Sequence, residues 1–476
     1  MKPAREADLM QHQRIHQNKL ERTPFGGLGV FDDVGTGKTI SALNVLSKHL
    51  GREGAPALIL VPPALMEKWE MECKKWCDIH VNTARVDQNR LILEDGVNIM
   101  SHGQCHRTVL REIPKIGLII IDEVHHFRNQ ETKSSKFVLQ LCKCSEKRLV
   151  LTATPIQNSQ EDMVSIIHLI IPFVSRDVCR TIVAHAMGVG DHSLLRPIMT
   201  RCTPTTSEAN RVVNDHHVKM SENEEGFVYG LFRSDGKVSH GRLSDIMMMK
   251  IASSSLSTLK SFTGHEIDLP DSKVQYTSSL VEGMCNQGKK AIVFSEFINT
   301  AREISAILDS NLIGTITGET PAEIRSAFLT GLKHSRSGAI VMTDVGGEGL
   351  DMQFVDCIVN HDLPWNPMIL EQRIGRLDRI GRDDRDVEIH NILLEDSLDS
   401  HIVSILKNKE IVARKFGGYG RMIEPDEALS SIRTTMKFSS ISSQVYEADL
   451  EELESGDFGL LQEQNNSLQS FIDELT

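Results

Sequence analysis

The stretch Phe31–Ile40, FDDVGTGKTI, decides how the first part of this 476-residue chain folds. It follows the apolar run GLGVF and precedes TISALNVLSKHL, in which apolar residues recur at helical spacing. A glycine-containing loop between a strand and a helix is typical of a phosphate site, because backbone amides at the helix N-terminus face the phosphates. The common Gly-x-x-x-x-Gly-Lys-Thr pattern is incomplete, since Asp32 stands at its first glycine.

The side chains of this loop suit a nucleotide and its metal. Lys38 places a positive charge near the β and γ phosphates, and Thr39 offers a hydroxyl ligand to Mg²⁺. The alternative is a chance Gly-x-Gly-Lys-Thr on a surface turn. The residues predicted to bind the nucleotide here are Asp32, Asp33, Val34, Gly35, Thr36, Gly37, Lys38 and Thr39.

An acidic pair ends a second apolar run, GLIIIDEVHHF, 84 residues beyond Lys38. An ATPase needs carboxylates at the C-terminal end of a strand, one near the metal and the next near the attacking water. We therefore predict Asp122 as a ligand of Mg²⁺ and Glu123 as the general base. The alternative is an ordinary strand exit with solvated carboxylates.

Composition favours a globular protein of two or three domains, with 40% hydrophobic and 25% charged residues. No apolar run of about 18 residues is present, and the start MKPAREADLMQHQR lacks the apolar segment of a secretory signal. Nine scattered cysteines indicate a reducing compartment. We therefore expect a cytoplasmic or nucleoid location and no membrane partner.

The formal charge of -13 is concentrated at the C-terminus. Residues 421–476 carry 3 basic and 12 acidic groups, whereas the rest of the chain carries 49 and 53. The nearly balanced body is therefore able to present a local basic groove, but the acidic tail is not suited to bind nucleic acid.

The order of apolar runs predicts an α/β fold. GLGVF, ALILV, GLIIID and RLVLTAT alternate with longer mixed segments, and a similar series from KAIVFSEF to VEIHNILL follows in the second half. Buried strands separated by helices predict a mostly parallel sheet covered by helices. The apolar strand runs disappear between about residues 172 and 271, so we expect two such lobes with a helical connection.

These motifs together resemble the helicase-superfamily-two ATPases, and within them the SWI/SNF family of double-stranded DNA translocases. That family's loop reads Asp-Glu-x-Gly-x-Gly-Lys-Thr, so the aspartates here are a variant of it. The resemblance covers roughly residues 9–395 and implies two tandem RecA-like lobes that use ATP and Mg²⁺. The expected domains are an ATP-binding lobe at 1–205, a helical linker at 206–275, a C-terminal lobe at 276–415 and an acidic, partly ordered tail at 416–476.

Two further motifs of the first lobe carry the resemblance. LMQHQ resembles the leading motif whose glutamine, here Gln13, reads adenine; a polar residue on a first helix is the alternative. LILVPPALMEKWEMECKKW resembles motif Ia, in which Trp69 is characteristic of the family. Trp69 and Trp76 are equally suited to packing a helix on the sheet.

The longest match is TDVGGEGLDMQFVDCIVNHDLPWNPMILEQRIGRLDRIGR, residues 343–382. The resemblance implies that Arg376 and Arg379, three apart on a predicted helix, are arginine fingers for the γ-phosphate. It also implies that Gln372 places the water or contacts the γ-phosphate, and that Gly349 permits close approach to nucleotide or nucleic acid. The alternative is a basic helix face paired with neighbouring acidic residues.

The resemblance implies a motor that moves on double-stranded DNA through backbone contacts and displaces or remodels bound protein. The candidate DNA contacts are IMSHGQ at 99–104, the glycine turn at 346–349 and residues 299–302. The similarity is greatest to the bacterial RNA-polymerase-associated branch, which indicates a prokaryotic or viral source and a minimal motor. RNA polymerase, a replication protein or another DNA-bound protein is the expected target.

Two other functions stay open. One is a DNA helicase that separates or anneals strands at forks or R-loops. The other is a nucleotide-switched subunit of a larger transcription or defence complex. In the tail, NNSLQSFI resembles a sliding-clamp peptide anchored by Leu468, Phe471 and Ile472, with an amphipathic docking helix as the alternative.

Overall fold

The computed structural model describes residues 9–399 and 451–475 with internal gaps. The gaps are at 24, 51–54, 107–109, 157–159, 190–192, 203–210, 234–244, 345–349, 351, 365–366, 378–385, 396, 398, 453 and 457. The chain divides into two compact units, one of Met1–Thr205 with Val412–Thr476 and one of Thr206–Ile411.

The first unit is built on a parallel sheet. Its strands are β1 (Gly27–Val30), β2 (Ala57–Val61), β3 (Val81–Thr83), β4 (Arg85–Asp87), β5 (Arg90–Ile92), β6 (Val97–Ser101), β7 (Ile116–Ile121), β8 (Ser145–Leu151) and β9 (Met199–Thr200). In the described part of the chain, seven strands run in the order β3-β6-β2-β7-β8-β1-β9 with parallel pairing. Strands β4 and β5 form a separate antiparallel hairpin.

Helices cover both faces of this sheet. They are α1 (Gln11–Arg22), α2 (Lys38–Leu50), α3 (Met66–Cys77), α4 (Lys133–Lys143), α5 (Gln160–Ile170) and α6 (Arg176–Val189). Short 3₁₀ turns occupy Pro63–Leu65, His102–His106, Val124–Phe127 and Arg196–Ile198. Successive residues of a strand face opposite sides, so Ile119 enters one apolar core and Ile120 the other.

The second unit repeats this architecture. Its strands are β10 (Arg211–Val218), β11 (Lys290–Phe294), β12 (Leu312–Ile316), β13 (Gly338–Met342), β14 (Cys357–Asn360) and β15 (Val387–Leu394). They pair in parallel in the order β10-β15-β14-β11-β13-β12. Its helices are α7 (Glu222–Arg233), α8 (Asp245–Ser254), α9 (Leu256–Thr263), α10 (Ser272–Asn286), α11 (Ile298–Leu308), α12 (Ala322–His334) and α13 (Pro367–Ile374), with a 3₁₀ turn at Asp309–Asn311.

The predicted fold class is confirmed, because each apolar run named in the sequence forms a strand of a parallel sheet. Ile292 and Val293 of β11 again enter cores on opposite faces. Strands of this kind are buried on both sides, which explains why their sequences are almost continuously apolar.

The expected helical connection at 206–275 needs a correction. It contains α7, α8 and α9, which share a small apolar core around Ile251 and Leu259. It also contains β10, which lies at the edge of the second sheet beside β15. Strand β10, RVVNDHHV, has mostly exposed or half-buried side chains and no apolar run, so the sequence pattern did not reveal it.

The C-terminal segment also differs from the expected appendage. Helix α14 (Gly459–Leu475) belongs to the first unit and buries Leu461, Leu468 and Ile472. Within the described residues, no helix has both the length and the apolar character needed to cross a bilayer.

Candidate nucleotide site

The loop between β1 and α2 has the backbone of a phosphate cradle. Gly35 and Gly37 have φ angles of 86° and 83°, a region that favours glycine. A Cβ at Gly37 would lie 2.9 Å from Nε2 of Gln13 on α1, so the loop approaches this side chain closely. Helix α2 begins at Lys38, which places its N-terminal amides at the loop.

The two aspartates of the loop hold it in place. Asp32 is fully buried; its Oδ1 accepts a hydrogen bond from the Cys202 amide at 2.8 Å, and its Oδ2 lies 3.3 Å from Nε2 of His16. Burial acts to raise the pKa of Asp32, but the neighbouring His16 contributes most to a net lowering. Arg201 donates from Nη2 to Oδ1 of Asp33 at 2.8 Å. The carboxylates of Asp32 and Asp33 therefore anchor the loop to neighbouring segments, and their backbone carbonyls are part of the loop itself.

Lys38 is held by these carbonyls. Its Nζ donates to the backbone oxygen of Asp32 at 2.8 Å and of Asp33 at 3.0 Å. The loop and the acidic pair follow β1 and β7 at the same edge of the parallel sheet, and the charge of Lys38 acts to lower the pKa of both Asp122 and Glu123. The structure thus brings together the two motifs that the sequence separates by 84 residues.

Helix α1 contacts the loop through successive turns. His12 Nε2 lies within hydrogen-bond distance of the Thr36 carbonyl, at 2.9 Å. Gln13 is buried, and its Oε1 accepts a hydrogen bond from the Met10 amide at 3.0 Å. Gln13 therefore lies beside the predicted phosphate loop, and its role as the adenine reader stays a prediction.

Asp122 follows β7 and is oriented by a tryptophan. Nε1 of Trp69, on α3, donates to Oδ2 of Asp122 at 2.9 Å, and the Glu123 amide donates to Oδ1 at 3.0 Å. Burial, followed by the charge of Glu123, raises the pKa of Asp122. Trp69 is also part of the apolar core, so both interpretations of this residue hold.

Glu123 has a strained backbone. Its φ of 47° and ψ of 50° lie in the left-handed region, which non-glycine residues rarely adopt and which recurs at functional sites. Nδ1 of His125 lies 3.2 Å from Oε2 of Glu123 and 3.0 Å from the Thr152 hydroxyl. Burial acts to raise the pKa of Glu123, but the contact with His125, together with the charges of Lys38 and His126, gives a net lowering of the pKa. Glu123 is thus held as a carboxylate, the form that accepts a proton.

The donor set fits a magnesium nucleotide. Asp122 and Thr39 offer the hard oxygen ligands that Mg²⁺ prefers, and this ion usually retains several waters and phosphate oxygens. No cluster of three or more histidine, cysteine or acidic side chains suited to a metal occurs in the described residues.

In the second unit the predicted phosphate-sensing residues are only partly described. Arg376 is buried, and Gln372 is half-buried on α13. Arg379 and Gly349 lie outside the described residues. The sequence predicted Arg376 to lie on a helix, but α13 ends at Ile374 and Arg376 lies in the following turn. Gly375 directly follows the last helical residue, where glycine commonly ends helices.

Arg373 is a residue whose importance the sequence did not reveal. It is fully buried and donates from Nε and Nη2 to the two carboxylate oxygens of Asp344, at 2.7 and 2.8 Å. Its Nη1 donates to Oδ1 of Asn360 at 2.8 Å. This bidentate pair, in which Arg373 is buried and Asp344 half-buried, holds the end of α13 directly before the turn that carries Arg376. In the sequence, Arg373 is one of several arginines in a basic run, and the pattern does not distinguish it from the others.

Asp362 of the DLPWNP signature has a structural role of the same kind. Its Oδ2 accepts hydrogen bonds from the Ser254 and Ser295 hydroxyls at 3.0 and 2.7 Å, and from the Glu296 amide at 2.9 Å. The signature therefore joins α8 to the end of β11. Residues 365 and 366 of the signature lie outside the described part of the chain.

The candidate DNA contacts are placed as follows. Ser101 ends β6, and its amide donates to Oε1 of Gln104 at 2.8 Å, which closes the 3₁₀ turn. Asn299 and Arg302 lie on α11, where Arg302 is exposed and 3.6 Å from Glu319. The turn at 346–349 lies outside the described residues. These contacts stay predictions.

Models of two known domains match the chain. The SNF2-related domain matches residues 16–190, and the helicase conserved C-terminal domain matches residues 272–381. The matches fall in the first and the second unit respectively. Together with the nucleotide loop and its acidic pair, they define a helicase-like ATPase.

Curated relatives agree. The uncharacterized ATP-dependent helicase YqhH of Bacillus subtilis is 27% identical, over 93% of this chain and 85% of that protein. RNA polymerase-associated protein RapA of Vibrio parahaemolyticus is 25% identical over 96% and 53%. The human SWI/SNF-related matrix-associated actin-dependent regulator of chromatin subfamily A member 1 is 22% identical over 88% and 45%. The chain thus spans about half the length of the last two. It is an ATP-hydrolysing enzyme of the SNF2 family.

Replacing Glu123 by Gln should leave nucleotide binding intact and slow hydrolysis. Loss of a general base typically costs about 10²- to 10⁴-fold in rate. Binding of a fluorescent ATP analogue and steady-state phosphate release would be measured side by side. Glu131→Gln, at an exposed ion pair with Lys136, is the control and should behave as wild type. Normal turnover in Glu123→Gln would exclude the general-base role.

Replacing Trp69 by Phe keeps an aromatic ring in the core but removes the donor to Asp122. Losing a partner that orients a metal ligand typically costs about 10- to 100-fold in metal affinity or activity. We expect the Mg²⁺ concentration needed for half-maximal ATPase rate to rise, and Mg²⁺-dependent nucleotide binding to weaken in parallel.

Trp76→Phe provides the matched control for this prediction. Trp76 lies on the same helix, and its Nε1 donates to Oε2 of Glu72 at 2.6 Å, a half-buried contact. It should leave the Mg²⁺ dependence unchanged. An equal shift in both variants, or none in Trp69→Phe, would contradict the role of the Trp69–Asp122 hydrogen bond.

Proposed function

We propose that this ATPase uses Mg²⁺ and ATP to move along double-stranded DNA and to displace or remodel bound protein. The observation that carries the proposal is the first unit's sheet, at one edge of which the phosphate loop follows β1 and the acidic pair follows β7. In this proposal Lys38 contacts the β and γ phosphates, Asp122 and Thr39 hold Mg²⁺, and Glu123 activates the attacking water.

The second unit contributes arginine in this proposal. Arg376 supplies positive charge to the transferring phosphoryl group, and the bidentate Arg373–Asp344 pair holds the chain directly before its turn. Arg379, Gly349 and Gln372 remain proposed members of the same site. Asp32 and Asp33 serve mainly to shape the loop.

The choice of double-stranded DNA rests on relatives. One is named for regulation of chromatin and another for association with RNA polymerase. Chromatin contains duplex DNA and RNA polymerase transcribes it, which supports duplex DNA as the track and a DNA-bound protein as the target. Contacts to phosphates would make binding salt-sensitive and weakly dependent on sequence.

Strand separation is a second candidate, because YqhH is named as an ATP-dependent helicase and covers most of this chain. A forked duplex distinguishes the two activities. A translocase displaces a third strand from a triplex without opening the fork, whereas a helicase opens the fork.

The first experiment is ATP hydrolysis without nucleic acid and with blunt duplex DNA, single-stranded DNA or RNA. We expect duplex DNA to give the strongest stimulation, and stimulation to fall as salt rises because phosphate contacts release counterions. Stimulation mainly by single strands would favour the helicase. No stimulation by any nucleic acid would contradict both and favour a partner-dependent subunit.

Arg376→Ala tests the second unit's contribution. The variant should bind ATP but lose DNA-stimulated hydrolysis, because removal of an arginine finger typically costs about 10³-fold or more in rate. Arg336→Ala, at an exposed position of the same unit, is the control. If stimulation by duplex DNA is equal in the two variants, Arg376 has no role at the phosphoryl group.

A further inference from the structure

The C-terminal helix α14 presents one face to the first unit. Leu461, Asn465, Leu468 and Ile472 recur at helical spacing and are the buried residues of this helix. Leu468 and Ile472 belong to the larger apolar core of the unit. Leu460 and Leu475, on the same helix, are 48% and 45% exposed.

Polar contacts fix the C-terminal segment, residues 451–475, to the 3₁₀ turn at Arg196–Ile198. Nη2 of Arg196 lies 2.9 Å from Oε2 of Glu452, and its Nη1 donates to Oε1 of Gln464 at 3.0 Å. Arg196 is fully buried and Glu452 nearly so. Removing one partner of a buried ion pair is strongly destabilising, because the other charge is left buried without compensation. This contact therefore specifies where the segment docks.

The same segment contacts both ends of α1. At the first turn, Nε2 of Gln11 donates to Oε1 of Glu454 at 2.9 Å. At the last residue, the Arg22 guanidinium lies 3.8 Å from the ring centre of Phe458, and Nδ2 of Asn465 donates to the Arg22 carbonyl at 3.4 Å. The segment thus spans the length of the helix.

Both elements that the segment contacts hold the nucleotide loop. Helix α1 places His16 against Asp32 and Gln13 against Gly37. The chain that follows Arg196 forms β9 and then supplies Arg201 to Asp33 and the Cys202 amide to Asp32. Lys19 of α1 also donates to the carbonyl of Met199 at 2.8 Å, which ties these two elements to each other.

We infer that the C-terminal segment 451–475 is a positioning element of the nucleotide site. It sets nucleotide affinity by holding α1 and the 196–202 segment against the loop. The inference deepens the proposed function, because it takes the loop as the phosphate site and Gln13 as the adenine reader. If the loop is already ordered in the free protein, nucleotide binding does not have to supply the free energy needed to order it, and the affinity is higher.

This role differs from the sliding-clamp motif that the sequence suggested. Two of the three predicted anchors, Leu468 and Ile472, are buried against the chain's own first unit. The third, Phe471, is half-buried, and its ring centre lies 6.1 Å from that of His185 on α6. The alternative of an amphipathic docking helix agrees with these contacts, and the surface on which it docks is intramolecular.

The test introduces two aspartates on the buried face of α14 in the full chain, as L468D/I472D. The matched control places the same two charges at exposed positions of the same helix, as L460D/L475D. Hydrogen exchange of α14 and α1, affinity for a fluorescent ADP analogue, and ATPase kinetics would be measured. A milder variant, Glu452→Gln, removes the charge opposite Arg196 and provides the same readouts if the double variant does not fold.

In L468D/I472D we expect faster exchange in both α14 and α1, and roughly tenfold weaker nucleotide binding through lost preorganisation. The rate at saturating ATP should change by less than about twofold, because only binding shared by the ground and transition states is lost. The control should match wild type. Unchanged exchange in α1, unchanged affinity, or continued protection of α14 would each overturn the inference.

The adenine assignment is tested separately. Gln13→Ala should reduce the preference for ATP over GTP while leaving the exchange of α14 unchanged. If Gln13→Ala has no effect on base preference but L468D/I472D still weakens ADP binding and loosens α1, the adenine assignment fails and the positioning role stands. If Gln13→Ala lowers base preference and L468D/I472D changes neither quantity, the positioning role fails alone.

Discussion

The buried carboxylate of Asp32 is the constraint on which the candidate nucleotide site depends. A charge without solvent must be compensated, and here the compensation comes from His16 on α1 and from the Cys202 amide beyond β9. One side chain thus fixes two distant segments to the phosphate loop. A buried carboxylate that loses such a partner is costly to keep in the folded state, which makes this arrangement specific. The residue that interrupts the common loop pattern is therefore the one that organises the loop.

The site and the core share residues. Trp69 packs in an apolar core and also donates to Asp122, so the position of the acidic pair is set by the packing of α3 on the sheet. Glu123 has a left-handed backbone two residues after the fully buried strand β7. Strain of this kind persists only where the surroundings determine the conformation, and the strand, Trp69 and His125 provide those surroundings.

In the second unit, buried charged side chains are likewise satisfied by partners within the unit. Arg373 is buried, and the carboxylate of Asp344 and the amide oxygen of Asn360 satisfy its donors. Asp362 is satisfied by two hydroxyls and an amide. These groups do no chemistry in the proposed reaction, although they lie in the motifs most typical of the family. A motif therefore combines residues that react with residues that hold the turn.

The sequence by itself determined the two parallel sheets, the phosphate loop and the acidic pair. These features depend on local patterns: apolar runs of strand length, glycines where φ is positive, and carboxylates directly after a strand. The edge strand β10 was not predictable in this way, because a half-exposed strand needs no apolar run. Only the tertiary structure decided the partners of Asp32, the hydrogen bond from Trp69 and the burial of Arg373. It also decided that Leu468 and Ile472 pack on the first unit, because such pairings join residues far apart in sequence and depend on which surfaces the folded chain brings into contact.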